Sequence, residues 1–148
     1  MISLTDQAFD PGTLLSNFCR GRTETGAVAS FVGLARAEGG AAAVLELDAY
    51  PGFTEAQIAQ HVATAQSRFE LQDVRIVHRI GAIGPGEPIV FVATAASHRR
   101  AAFEACDFLM DYLKSRAPFW KKETGPDGAR WIEPGPQDIT DLARWETR

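Results

Sequence analysis

Residues 97–123 read SHRRAAFEACDFLMDYLKSRAPFWKKE, and this stretch predicts the centre of the fold. Apolar residues recur at helical spacing from position 102 to position 113, and Pro118 ends the predicted helix. The apolar run from Ile89 to Ala95 leads directly into Ser97 and predicts a buried strand. A buried strand, a helix and a further extended segment together indicate a sheet covered by helices.

The same stretch holds every lysine of the chain, namely Lys114, Lys121 and Lys122. All other basic side chains are arginines, which stay protonated, whereas a lysine can lose its proton in suitable surroundings. The distribution is consistent with chance and codon bias, or with a need for an amine in this segment. Residues 97–122 carry a formal charge of +3 in a chain of net charge −4. A small basic site on an acidic chain favours a small anionic ligand over nucleic acid.

The predicted helix begins with His98, Arg99 and Arg100, and Ser97 is its expected N-cap. Cations in a first turn oppose the helix dipole, so this end is either a mildly unfavourable solvated terminus or an anion-binding site. At 1.5 Å per residue, His98 and Lys114 lie roughly 24 Å apart along the helix. The two ends therefore either serve different parts of the surface or are brought together by a symmetric homodimer, in which the helix start of one protomer lies near the helix end of the other. We favour the homodimer.

Composition predicts a single domain over residues 1–148 with an ordinary core. No apolar run is long enough to cross a membrane, and the start of the chain lacks a basic region followed by an apolar stretch, so we expect a cytoplasmic protein. Cys19 and Cys106 fall in apolar helical patterns and are expected to be buried thiols. The three histidines lack metal-ligand spacing, so neither a metal nor a cofactor is expected.

The remaining patterns predict short strands that alternate with helices in the order β-α-β-β-α-β-β-α-β-β-α. Gly26–Leu34 is expected to form a hairpin with Val44–Tyr50, joined through the flexible residues 38–40. Asp73–Gly81 is expected to turn His78 toward the core, as a hydrogen-bonded histidine rather than a ligand. Residues 83–88 are expected to form a tight connection. We therefore predict an α+β protein with a mixed sheet and packed helices.

Start signals predict the remaining helices. Asp10 followed by Pro11 marks one start, Thr54 is expected to cap a second helix, and Asp138 is expected to cap a short last one. Phe119–Glu123 is expected to be extended, with residues 119, 121 and 123 on one face and residues 120 and 122 on the other. Met110 and Lys114 are four residues apart and are expected to share one side of the helix.

Several segments resemble the catalytic (large) subunit of molybdopterin synthase. They are LDAYPGFTE (47–55), VHRIG (77–81), SHRRAAFEA (97–105) and, above all, YLKSRAPFWKKE (112–123). The resemblance runs from about Gly26 to Glu133 with compatible spacing. It implies an α/β-hammerhead-like mixed sheet with packed helices and an added β-hairpin subdomain. It also implies a central homodimer within a heterotetramer, with a small ubiquitin-like sulfur-carrier subunit at each end.

The resemblance implies a sulfurtransferase that converts cyclic pyranopterin monophosphate (precursor Z) to molybdopterin. The two sulfurs come from a thiocarboxylate on the C-terminal Gly-Gly tail of the small subunit, so this chain needs no reactive cysteine of its own. Positions matching the family's binding residues for the pterin and its phosphate are Arg36, His98 and Arg99. Lys114 matches the lysine at the reacting centre. The second basic stretch of the pocket corresponds to Lys121, Lys122 and Glu123.

Lys114 is expected to act as an acid/base or electrostatic stabiliser, because sulfur transfer passes charge through an acyl oxygen and a sulfur. Lys121 is expected to assist. Two other functions use the same cations: a non-catalytic module that docks a ubiquitin-like tail or a nucleotide, and an RNA-binding domain. The acidic net charge argues against RNA.

Overall fold

The computed structural model describes residues 1–36, 44–126 and 128–147. The predicted flexible residues 38–40 lie outside the described residues. The elements, in chain order, are β1 (Ile2–Thr5), α1 (Pro11–Cys19), β2 (Ala27–Leu34), β3 (Val44–Ala49), α2 (Phe53–Phe69), β4 (Asp73–Arg79), β5 (Gly81–Ile83), β6 (Pro88–Ala96), α3 (Arg99–Ser115), β7 (Phe119–Gly125), β8 (Gly128–Trp131), α4 (Pro136–Ala143) and a 3-10 helix (Arg144–Thr147). The predicted α+β class is confirmed.

Sheet A has the strand order β1-β4-β6-β2. Its β1–β4 pair is parallel and its other pairs are antiparallel. Helices α2 and α3 pack on one face, where Ile58, Val92 and Leu109 share a buried cluster, whereas Phe18 of α1 packs with Phe91 on the other. Because both faces are covered, β6 is an almost continuous apolar run, as a strand buried on both faces requires.

Sheet B has the order β5-β3-β7-β8 and is antiparallel throughout. The predicted hairpin between β2 and β3 is therefore wrong, because β2 pairs with β6 in sheet A. Strand β3 pairs instead with β5 and β7, and Glu46 faces Lys122 directly across the β3–β7 ladder. Opposite charges at such cross-strand positions stabilise a pairing. Strands β7 and β8 form an antiparallel hairpin, and the predicted connection after residue 83 follows the short strand β5.

Three predicted caps are wrong. Helix α3 is capped by His98, and the Ser97 hydroxyl accepts a hydrogen bond from Gln72 instead. Helix α2 begins one residue before Thr54, whose buried hydroxyl accepts from the Tyr50 N–H and donates to the carbonyl of residue 118. Helix α4 begins at Pro136, with Gly135 as its N-cap. Asp138 is the third residue of the helix, and its carboxylate accepts a hydrogen bond from the Gly135 N–H, as in a capping box.

The cap of α1 follows the prediction, since Asp10 accepts from the Gly12 N–H.

The two cysteines differ in their burial. Cys106 is buried, and burial raises the pKa of its thiol to about 12, so it is not a nucleophile near neutral pH. The prediction for Cys19 is wrong, because this residue is exposed at the end of α1. No helix among the described residues is long and apolar enough to cross a bilayer.

Candidate active site

A cavity of about 760 Å³ lies between the end of sheet A, the C-terminal end of α3 and sheet B. Gly33, Leu34, Ala35 and Arg36 line it from the end of β2, and Met110, Leu113 and Lys114 line it from α3. Phe119, Lys121 and Glu123 line it from β7. Three of the predicted site cations, Arg36, Lys114 and Lys121, therefore converge on one space with the predicted Glu123.

The strand pattern explains which lysine enters the cavity. Residues 119, 121 and 123 of β7 line it and residues 120 and 122 do not, as the predicted alternation requires. Lys122 lies on the opposite face, with its ammonium 6.0 Å from the ring centre of Trp131. This geometry gives no support to a pocket role for Lys122. Glu123 forms a 3.4 Å ion pair with Arg130 at the edge of the cavity.

The C-terminal end of α3 determines the surroundings of Lys114. This lysine lies in the last turn, where the helix dipole favours a positive charge. Its side chain is exposed in the single chain, whereas Lys121 is half-buried. Met110 lines the cavity one turn before Lys114, which confirms that the two share a side of the helix. An amine that opens into a cavity can contact a ligand without a rearrangement of the main chain.

His78 is a cavity residue that the sequence did not identify as functional. The predicted orientation is confirmed, because His78 is only 7% exposed. Its ring stacks on Phe119 with centres 4.2 Å apart and bonds through Nδ1 to the carbonyl of Arg79 at 2.8 Å. Burial, Lys121 and Lys114 lower the pKa of His78 to about 4. The imidazole is therefore neutral near pH 7.

Residues 132–135 and Asp138, which connect β8 to α4 and begin that helix, also line the cavity. Sequence reasoning missed this segment, because it carries no local pattern that separates a pocket wall from an ordinary loop. Only the tertiary packing of the C-terminal segment against α3 brings it there. The Ser115 hydroxyl anchors α4 to the end of α3 by donating to the carbonyl of Asp138 at 3.1 Å.

The predicted cations at the start of α3 lie elsewhere. Ser97, His98, Arg99 and Arg100 surround a separate surface depression of about 380 Å³ with Gly26, the residue before β2. Gly26 lies so close to the main chain of Ser97 that a Cβ at this position would clash with the Ser97 carbonyl oxygen. One protomer therefore holds two separate cationic sites, one at each end of α3.

A second histidine is held neutral outside the cavity. His61 lies between the rings of Tyr112 and Phe108, with ring centres 3.8 and 4.6 Å away, and burial, aided by Arg116, lowers its pKa to about 4. Its Nε2 is buried without a hydrogen-bond partner among the described residues. Protonation of this ring would place a charge within an aromatic stack.

The two histidines predict a loss of stability in acid. Both native pKa values are about 4, below the ordinary value of 6.5, so the unfolded chain takes up protons first as the pH falls. The contribution of the two neutral histidines to the free energy of unfolding is fully present above pH 6.5 and is lost between pH 6.5 and 4. For His78 the loss at pH 5 is about 2 kcal/mol. Urea unfolding at pH 7 and pH 5 measures the loss. His61→Phe is expected to reduce it, and an identical loss in that variant would contradict the role of His61.

The fold and cavity define a class of α+β protein with a partly apolar pocket that is lined by both basic and acidic side chains. A sequence model of the family described as MoaE protein matches residues 4–116. This chain therefore belongs to the MoaE family.

Relatives and solved structures agree with that assignment. The molybdopterin synthase catalytic subunit of Caulobacter vibrioides is 69% identical over 146 residues, which cover 99% of this chain and 97% of that protein. The molybdopterin biosynthesis MoaE protein of Burkholderia ambifaria is 44% identical with a TM-score of 0.85, over 100% of this chain and 99% of that one. A molybdopterin synthase chain of Staphylococcus aureus is 27% identical with a TM-score of 0.78, over 87% and 94%. The predicted family is confirmed.

Proposed function

We propose that this chain is the catalytic subunit of a molybdopterin synthase. It transfers two sulfurs, one from each of two thiocarboxylated Gly-Gly tails of the small ubiquitin-like subunit, to precursor Z, which yields the dithiolene of molybdopterin. The observation that carries the proposal is the convergence of Arg36, Lys114 and Lys121 on one cavity. Such a reaction takes place between two anionic groups, a thiocarboxylate and a phosphorylated pterin, and the three cations would reduce their mutual repulsion.

The cavity suits both the tail and the chemistry. Its apolar wall includes Leu45, Leu47 and Ile89, which can contact a peptide main chain that has no side chains. Lys114 stabilises the oxyanion that forms when a nucleophile adds to the acyl carbon, and it can supply or accept a proton at sulfur. Lys121 adds a second positive charge from the facing strand. The bound tail would complete the burial of Lys114 and strengthen its electrostatic effect.

The second cationic site has a role if two copies of the chain pair along β2. Strand β2 is at the edge of sheet A, and no described strand pairs with its outer side. Phe31, Val32 and Leu34 on this strand are 39%, 38% and 56% exposed. An exposed apolar edge strand is a pairing surface for another strand, and a two-fold axis through such a strand gives a closed dimer.

The position of β2 gives this pairing a consequence for the site. The strand begins beside the depression that holds His98 and Arg99 and ends at the cavity. Antiparallel pairing about its centre would bring the start of the partner's β2 beside the end of this protomer's β2. The depression of one protomer would then adjoin the cavity of the other. His98 and Arg99 would hold the phosphate while Lys114 and Lys121 act on the tail.

A reconstituted assay tests the function. The purified chain is incubated with precursor Z and a thiocarboxylated small subunit, and the dithiolene product is measured. The proposal expects turnover that depends on both precursor Z and the small subunit. In the cell, we expect the reaction to take place in the cytoplasm. A stable complex with no dithiolene would instead identify a non-catalytic docking module.

Adjacent lysines on opposite faces of β7 give a matched test of the cavity. Lys121→Ala is expected to lower turnover by about 10- to 100-fold, because it removes a charge that faces the ligand. Lys122→Ala is expected to stay within about threefold of the wild type, because it removes an ammonium that lies on the opposite face of β7, near Trp131, and does not line the cavity. Turnover by both variants in the same assay is the measurement. Equal losses would contradict the assignment of faces.

A further inference from the structure

His78 has a polar atom that the proposed chemistry leaves unused. We propose that the neutral imidazole of His78 is a specificity-determining residue that accepts, through Nε2, a hydrogen bond from an N–H group of the bound ligand. The inference rests on the proposed function, since it concerns a ligand of the same cavity.

The hydrogen bond of Nδ1 fixes the tautomer. Nδ1 is 2.8 Å from the main-chain carbonyl oxygen of Arg79, and a carbonyl oxygen can only accept, so Nδ1 carries the proton. The ring holds no second proton near pH 7, because burial and the nearby lysines lower its pKa to about 4. Nε2 therefore presents a lone pair, and no described residue donates a hydrogen bond to it.

The ring is also fixed in place. It stacks on Phe119 at an interplanar angle of 20°, and its strand is paired on both sides, with Leu4 opposite on β1 and Val90 opposite on β6. Since Nδ1 is bonded to the main chain, Nε2 is the only ring atom left to form a hydrogen bond with a ligand in the cavity that His78 lines. An acceptor held in this way needs no reorganisation when a ligand binds.

The charged groups around the cavity explain why a neutral acceptor is useful there. Lys114 from α3, Lys121 from β7 and Arg36 after β2 face the cavity as donors, whereas Glu123, Glu133 and Asp138 line it as charged acceptors. His78 adds an acceptor that carries no further negative charge. The neighbouring Arg79 is directed elsewhere, toward Glu87 at 3.5 Å and the carbonyl of residue 82 at 3.0 Å. The cations can bind phosphate or thiocarboxylate oxygens but cannot accept from an N–H.

The shared chemistry of the expected ligand is therefore an amide-type N–H. Both substrates of the proposed reaction carry such a group, on the pterin ring and on the main chain of the Gly-Gly tail. Loss of a ligand donor opposite a buried acceptor weakens binding, so His78 would discriminate against analogues that lack this N–H.

Three substitutions distinguish the contribution of the hydrogen-bond acceptor of His78 from that of its stacked ring. His78→Gln can place an amide oxygen near the position of Nε2, His78→Asn reaches only the position of Nδ1, and His78→Phe keeps the stack on Phe119 without either nitrogen. Asn and Phe are expected to raise the KM for precursor Z or the Kd for the small subunit by about tenfold, the effect of one hydrogen bond, and Gln by less than about threefold. Thermal unfolding of each variant checks the fold, and the Gln and Asn pair decides the result if Phe does not fold.

A modified tail distinguishes the two donors. The small subunit is prepared with N-methylglycine as its last residue, which removes the terminal N–H. If the tail is the donor, methylation weakens binding to the wild type and adds nothing to His78→Asn. If the pterin is the donor, methylation affects both proteins equally and the loss is seen in the KM for precursor Z.

The inference is overturned if Asn and Phe variants bind both substrates as the wild type does, or if Gln loses as much as Phe. A wild-type protein that forms no dithiolene would count against the proposed function instead. In that case the Kd values of the same variants for the small subunit and for precursor Z, each measured by direct titration, still decide the role of His78.

Discussion

Lys114→Ala is expected to reduce dithiolene formation by about a thousandfold or more, because both acid–base and electrostatic assistance at the reacting centre are lost. The fold is expected to survive, since the side chain lies in the last turn of α3 and is exposed in the single chain. The Kd for the small subunit is expected to change little, because most of the interface with a folded partner lies outside one lysine. Product formation and partner binding are measured on the same preparation.

Lys114→Arg tests which property of the lysine matters. Arginine keeps the positive charge but does not release a proton, so turnover is expected to remain very low if proton transfer is required. Arg20→Ala is the matched control, because Arg20 is an exposed cation at the end of α1 and does not line the cavity. Near-normal turnover by Lys114→Ala would refute the assignment. Recovery in Lys114→Arg would reduce the role of Lys114 to electrostatics alone.

Mixing two inactive variants is expected to restore activity. Lys114→Ala removes a cavity residue, and Arg99→Ala removes a residue of the depression at the other end of α3. In a mixed dimer, one site combines both defects and the other combines the intact Lys114 with the intact Arg99 of its partner. Random exchange would give about a quarter of the wild-type number of complete sites. Dithiolene formation after denaturation and joint refolding is the measurement.

Each variant refolded alone is the control for this experiment, and both are expected to stay inactive. If each site were built within one protomer, the mixed dimer would contain no complete site. Activity would then stay at the level of the separate variants, and the pairing along β2 would be contradicted. Ser30→Pro, in the middle of β2, is expected to prevent the pairing of two copies along this strand, since it disrupts the edge strand at its centre. Mixed dimers would then not form, and activity would not be restored.

The sequence predicted the parts of the site that depend on local periodicity. The helical spacing from residue 102 to residue 113 placed Lys114 on the side of Met110, and strand alternation placed Lys121 opposite Lys122. These patterns repeat over a few residues and need no knowledge of the fold. The separation of His98 from Lys114 also followed from helix geometry alone.

The sequence did not predict features that depend on contacts between distant segments. Strands β2 and β3 are neighbours in the chain, but β2 pairs with β6, and β3 pairs with β5 and β7, all of which lie about 35 to 80 residues further along. The cavity position of His78 depends on Phe119 and on residues 114 and 121, none of which is near it in sequence. The apolar stripe of α1 predicted a buried Cys19, but this residue is exposed. The stripe of a short helix does not show which of its edges packs against the sheet.

Helix α3 carries a basic group for each of two different sites, and this arrangement has a genetic consequence. In a dimer paired along β2 as proposed, a chain that loses only Lys114 would disable one centre when it assembles with a normal chain. A chain that loses both Lys114 and Arg99 would disable its own centre and that of its normal companion. Such an allele would therefore behave as a dominant-negative one, and its severity in a cell would follow the share of assemblies that it enters.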